Sequence, residues 1–122
     1  MIQPGKSIRT FVGAKDFKES CRFYEMLEFE LHHHGEGFAY VAISPGIGFY
    51  LQDYYTQEWC ENSMVFLEVE DLEAYLQKIK SLELPTHFPG VKVSEIRHDS
   101  WGDEFFIHDP AGVLWHIGKF KS

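Results

Sequence analysis

The chain is expected to fold as an α+β protein made of two βαβββ modules, and three observations lead there: an internal repeat, two matched amphipathic helices, and strand patterns after each helix. The repeat emerges when "RTFVGAKDFKESCRFYEMLEFEL", from Arg9, is laid over "MVFLEVEDLEAYLQKIKSLEL", from Met64. Asp16, Phe17, Leu27 and Glu28 then fall on Asp71, Leu72, Leu82 and Glu83 at one constant offset. Such repetition marks a duplicated supersecondary unit. "SPGIGFYLQ" and "DPAGVLWHI" are a second equivalence, with Pro and Gly supplying the turn before the last strand of each copy. The modules span about 7–52 and 64–118, joined by a linker over 53–63, and the 122 residues make one domain.

Each module begins with a short strand followed by an aspartate placed to cap a helix. Asp16 with Glu19 has the capping-box spacing. Phe17, Cys21, Tyr24 and Leu27 share one face of the first helix, and Leu72, Tyr75 or Leu76, Ile79 and Leu82 share one face of the second. Strands are expected at 28–33, 37–43 and 47–52, then at about 86–88, 93–98, 103–108 and 113–118.

Successive side chains of a strand point to opposite faces, so parity tells what each sheet face is made of. One face collects Phe49, Leu51, Val65, Leu67, Val69, Val113, Trp115 and Ile117, the apolar set that helices would cover. The other collects Arg9, Phe11, Tyr50, Gln52, Met64, Phe66, Glu68, Leu114 and His116. Aromatic bodies with a few polar heads describe the lining of a ligand cleft, whose apolar walls supply area and whose polar groups set orientation.

Composition narrows the partners. With 44% hydrophobic and 16% aromatic residues the chain has ample apolar surface for a core. A net charge of −8 without a basic stripe speaks against nucleic acid and suits a cationic small molecule. No run approaches the roughly 20 apolar residues of a membrane span, and "MIQPGKSIRT" lacks the apolar core of a signal peptide, so the expected compartment is the cytosol. Cys21, in a helical pattern, and Cys60, in a polar loop, are expected to be free thiols. No nucleophilic triad, phosphate loop or CxxC motif is present.

Four other features invite a role. "LHHHGEG" holds three consecutive histidines, but only His32 and His34 can share a side, which suits an exposed strand end better than a metal site. Trp101 precedes a strand and, read from its position alone, covers the end of the core. Tyr54, Tyr55 and Trp59 in the linker suggest a lid or, by preference, burial against a partner chain. The neighbouring carboxylates Glu68 with Glu70 and Asp103 with Glu104 are read as serving solubility.

The stretches "VGAKDFKESCRFYEMLEFEL", "FLEVEDLEAYLQKI" and "WGDEFFIHDPAGVLWHIG", taken in order over nearly the whole chain, resemble the glyoxalase, bleomycin resistance and dioxygenase superfamily, the vicinal oxygen chelate fold. The resemblance implies two modules curled into a cupped mixed sheet around a pocket, helices on its outer face, and often a homodimer. Enzymes of that superfamily hold a divalent metal at four strand positions, which correspond here to Arg9, Tyr50, Met64 and His116. Only His116 is an ordinary ligand, and a guanidinium would repel the cation. His116 is therefore read as a hydrogen-bonding pocket residue. A displaced metal site using His116 and Glu68 is the other arrangement considered.

The resemblance thus points to the metal-free bleomycin resistance type: no cofactor, and an aromatic or cationic small molecule sequestered by Arg9, Tyr50, Gln52, Met64, Phe66, Glu68, Trp101 and His116. An internal pair between Arg9 and Glu68 would neutralise the pocket. The alternative is a lyase, isomerase or dioxygenase of the same superfamily, with an atypical divalent metal site or with His116 as general base and Arg9 as oxyanion stabiliser. A small interaction domain with a vestigial cleft is the third reading.

Overall fold

Asp16 and Asp71 cap the two long helices as their spacing predicts. In the computed structural model, which describes residues 2–121, the Asp16 carboxylate accepts the Glu19 N–H at 3.2 Å and opens α1 (Phe17–Met26). Asp71 accepts the Ala74 N–H at 3.0 Å and opens α3 (Leu72–Ser81). The repeat extends to the helix ends: the equivalent residues Glu28 and Glu83 both adopt the left-handed backbone that stops a helix, φ 68° and 52°.

Before α1 lies β1 (Phe11–Gly13), and after it come β2 (Glu30–Gly35), β3 (Phe38–Ser44) and β4 (Ile47–Gln52). The second module opens with β5 (Met64–Glu68), and α3 is followed by α4 (Leu84–His87), β6 (Lys92–Val93), β7 (Arg97–His98), β8 (Gly102–His108) and β9 (Leu114–Phe120). Each module makes its own mixed sheet, ordered β1-β4-β3-β2 in the first and β5-β9-β8-β6 in the second, with β7 also on β8. In both, the first strand runs parallel to the last, placing Phe11 beside Tyr50 and Phe66 beside His116.

Three local expectations are corrected. The strand foreseen at 86–88 falls in α4 and its end, because Pro85 sits in the first turn, where its fixed φ favours a helix start. The strand foreseen at 93–98 is broken into β6 and β7. At the break the Ser94 hydroxyl accepts the Phe106 N–H at 2.9 Å, a side chain taking over a ladder position. The linker contains α2 (Gln57–Asn62), capped by Thr56, and Cys60 within it is fully buried, not part of a polar loop. Burial pushes the Cys21 thiol up to about 11 and raises that of Cys60, so neither is a ready nucleophile.

The apolar faces foreseen from parity meet in one core with α1, α2 and α3. Its centre is a ring cluster that crosses between modules: Trp115 lies 5.3 Å from Phe49, 5.8 Å from Tyr24 and 6.2 Å from Phe29. Trp115 donates its indole N–H to the Tyr24 hydroxyl at 3.1 Å, and that hydroxyl donates to Asp109 at 2.5 Å. Trp59 and Tyr55, expected against a partner chain, instead pack on this chain's own core, and Gly13 leaves the room that the Trp59 ring needs.

One group in this core is unsatisfied. The Ser20 hydroxyl is buried on α1 without a hydrogen-bond partner. Ser20→Ala removes that desolvated group and improves helix propensity, so it is expected to stabilise the fold by about 1 kcal/mol. The check is a thermal melt, where the gain reads as a rise of about 4 °C; an unchanged or lower midpoint would show that the hydroxyl is satisfied in solution.

Candidate functional site

The face of each sheet turned away from the core carries the residues singled out from parity. On the first sheet the register sets Phe11 beside Tyr50, and Tyr50 opposite Tyr40. Phe11, Phe38 and Tyr50 form a packed aromatic floor with centroids 5.2 to 5.9 Å apart. Arg9 lies across its edge, its guanidinium 4.3 Å from the Tyr40 ring centre and donating to the Tyr50 hydroxyl at 3.3 Å. That hydrogen bond and the neighbouring phenols raise its pKa further, so its charge is permanent. Gln52 is half-buried at the end of the same face.

On the second sheet, Met64, Phe66 and Glu68 of β5 lie beside Leu114, His116 and Gly118 of β9. Gly118 matters here: a Cβ at that position would come within 2.7 Å of the Phe66 ring, so glycine lets Phe66 lie over β9. Phe66 packs 5.9 Å from Trp101 and 5.4 Å from Phe120, a second aromatic surface, with His116 6.4 Å from Phe66 at its edge. This surface is only partly covered: Phe66 is 42% exposed, Trp101 37% and Met64 66%.

Two expectations about charge are overturned. Arg9 and Glu68 make no ion pair among the described residues, because Arg9, just before β1, is held on Tyr40 and Tyr50 of the first sheet, while Glu68 ends an edge strand of the second. Glu104, read from the sequence as a solubilising charge, is buried and bonded through Oε1 to His116 Nδ1 at 2.8 Å. The signal for it was available: residues 104 and 106 share parity with the cleft face once β8 is paired antiparallel with β9.

The three histidines divide as alternation requires. His32 stacks on Tyr40 and His34 packs against Phe38 on the aromatic side, while His33 meets Phe17 of α1 on the other. Residues lining a cleft of about 850 Å³ between the start of α1 and the β2–β3 turn include Lys15, Asp16, Cys21, His33 and Asp53. Arg9, Glu30 and Tyr40 border a smaller opening of about 390 Å³. Neither unites the residues expected to bind a ligand.

The four positions at which the resemblance implies a metal can be tested for fit. Arg9 and Tyr50 are hydrogen-bonded to each other on one sheet, while Met64 and His116 lie on the other with the His116 Nε2 and Met64 Sδ atoms 3.4 Å apart. One imidazole and one thioether fall short of the three protein ligands of an ordinary catalytic site. His116 has also given Nδ1 to Glu104 and not to Glu68, so the displaced pair is not assembled. The donor set does not fit a divalent cation.

Two sheets of this topology, packed through their helices on one core and aromatic on their outward faces, have the architecture of the glyoxalase, bleomycin resistance and dioxygenase proteins, as the sequence resemblance implied. The chain is similar in structure to the bleomycin-binding protein from bleomycin-producing Streptomyces verticillus, complexed with copper(II)-bleomycin, with a TM-score of 0.80 and 20% identity over 98% of this chain and 100% of that one. It is similar to TnmS3, an antibiotic binding protein from Streptomyces sp. CB03234, with a TM-score of 0.75 and 18% identity over 98% and 100% of the two chains. A glyoxylase/bleomycin resistance protein/dioxygenase domain from Frankia sp. EAN1pec gives a TM-score of 0.75 and 14% identity over 98% and 95%. At these identities the likeness is one of fold. No protein-family model matches the chain, and no curated protein does.

Proposed function

We propose that this protein is a metal-free small-molecule binding protein that sequesters an aromatic or cationic ligand in a cleft. The observation that carries the reading is the pair of outward aromatic faces, each furnished with few polar groups: Arg9, Tyr50 and Gln52 on one, Glu68, Glu104 and His116 on the other. Flat rings stack on such surfaces, and the net charge of −8 favours capture of cations. The bleomycin-binding protein and the antibiotic-binding TnmS3, which share the fold, support it. The misfit of the donor set supports the metal-free part, and action in the cytosol belongs to the same proposal; no helix among the described residues is long and apolar enough to cross a membrane.

A homodimer belongs to this proposal. Within one chain no hydrogen bond, ion pair or ring contact among the described residues joins the Arg9 face to the His116 face. A second copy laid across would bring the Arg9 face of one chain against the Glu104 and His116 face of the other. Light scattering at micromolar concentration is expected to give a dimer, and a monomer would remove the shared cleft.

Trp101 reports on occupancy. Flat cationic dyes are expected to quench its fluorescence, and Trp101→Ala is expected to weaken their binding by about 1 to 3 kcal/mol, roughly 5-fold to 150-fold. Wild-type affinity in that variant would place the ligand elsewhere.

A further inference from the structure

Building on the cleft reading, we propose that Arg9 presents its planar fork as the anion anchor of the first sheet's outward face and makes that face selective for flat aromatic carboxylates. The guanidinium is fixed by two rings. Its carbon lies 4.3 Å from the Tyr40 ring centre and 5.9 Å from that of Tyr50, and one Nη donates to the Tyr50 hydroxyl at 3.3 Å. Tyr40 is itself seated across the backbone of β4, where a Cβ at Gly48 would collide with its hydroxyl. The cation is thus oriented before a ligand arrives, so binding does not have to order a long side chain.

No carboxylate among the described residues completes this arrangement. Glu28 and Glu30 border the same opening of about 390 Å³ as Arg9, yet Glu28 pairs with Lys78 and Glu30 with His32, both at 3.1 Å. Glu104 is taken by His116 on the second sheet. The bond to Tyr50 uses one of the five N–H donors of a guanidinium, and the fork matches both oxygens of a carboxylate. Space for a ligand group is kept at this end of the sheet because Ala42 stands opposite Gly48, a cross-strand pair that offers a single methyl group.

The aromatic floor begins beside this cation. Tyr50, whose hydroxyl accepts from Arg9, packs 5.2 Å from both Phe11 and Phe38, and Phe11 remains 45% exposed. A one- or two-ring acid lying on this floor therefore directs its carboxylate at Arg9. The net charge of −8 does not forbid an anion here. Remote charges are screened over about 8 Å at physiological salt, whereas two parallel charge-assisted N–H···O bonds form in contact. A guanidinium that served only to brace Tyr40 and Tyr50 would not distinguish an aromatic acid from its neutral amide.

The test measures equilibrium binding of 2-naphthoate and 2-naphthamide, which share the flat rings and differ in the charge of one group. The acid is expected to bind about tenfold tighter than the amide. In Arg9→Gln that preference should fall to about one, and in Arg9→Lys, which keeps the charge and loses the fork, to about threefold. Thermal melts report whether each variant keeps the fold. Equal binding of the two compounds by the wild type, or a preference that persists in Arg9→Gln, would overturn the inference while leaving the cleft. Should Arg9→Gln bind neither compound, Arg9→Lys decides, since an undiminished preference there also overturns it. Failure of both naphthalenes where flat cationic dyes bind does the same, and failure of the naphthalenes and the dyes alike overturns the cleft reading with it.

Discussion

Trp115→Ala is expected to destabilise the protein by about 4 kcal/mol, the middle of the range for deleting a buried aromatic side chain. Trp115 is 2% exposed and belongs to the second module, yet the rings around it, Tyr24, Phe29 and Phe49, all come from the first. Truncation leaves a cavity bounded by both sheets, which cannot collapse without moving one module against the other. It also removes the indole N–H from the Tyr24 hydroxyl, although that hydroxyl keeps its bond to Asp109. Equilibrium urea unfolding measures the loss, with Trp101→Ala as a control expected to cost under about 1 kcal/mol because Trp101 lies at the surface. A Trp115→Ala loss no larger than the control's would mean that the ring cluster does not hold the modules together.

Asp109→Ala is expected to cost about 3 kcal/mol at neutral pH. The carboxylate accepts from the Ala111 and Val113 N–H groups, both at 2.9 Å, and from the Tyr24 hydroxyl, so the deletion orphans three buried donors. The burial that makes these bonds necessary also penalises the charge. Desolvation pushes the Asp109 carboxyl up to about 6, against the opposing pull of its hydrogen bonds from Tyr24 and from the backbone of Val113, Ala111 and Gly112. In a raised carboxyl the folded state holds its proton where the unfolded chain has lost it. The contribution to stability is therefore present in full below about pH 4 and is lost as pH rises towards about 6 and beyond, a change of roughly 3 kcal/mol. Asp109→Asn keeps an acceptor oxygen for the turn and cannot ionise. The difference in unfolding free energy between wild type and this variant should move in the variant's favour from pH 4 to 7, and a difference that stays flat would show that Asp109 titrates at an ordinary value.

Much of the architecture was legible because it rests on local periods and local caps. The offset that matches Asp16 to Asp71 foretold both helix starts, and it matched Glu28 to Glu83, whose shared left-handed backbone ends both helices. Strand parity sorted Phe49, Leu51, Trp115 and Ile117 into the core and Tyr50, Phe66 and His116 onto the opposite face. Local pattern failed where a distant contact decided the outcome. Cys60 looked like a loop residue among polar neighbours, but packing beside Gly13 buries it in a helix. Arg9 and Glu68 were assigned to one face, but they lie at different sheets and do not pair.

By itself, then, the sequence determined which residues lie on which face of each strand and where the long helices begin, since both follow from backbone periodicity and short-range hydrogen bonds. Only the tertiary structure decided which polar groups meet: Glu104 with His116 across a diagonal of the second sheet, and Tyr24 with Asp109 across 85 positions of chain. Such partners depend on strand register and on how two sheets dock. A slip of one residue reverses every side chain of a strand, and no local pattern records the distance between residues on different elements.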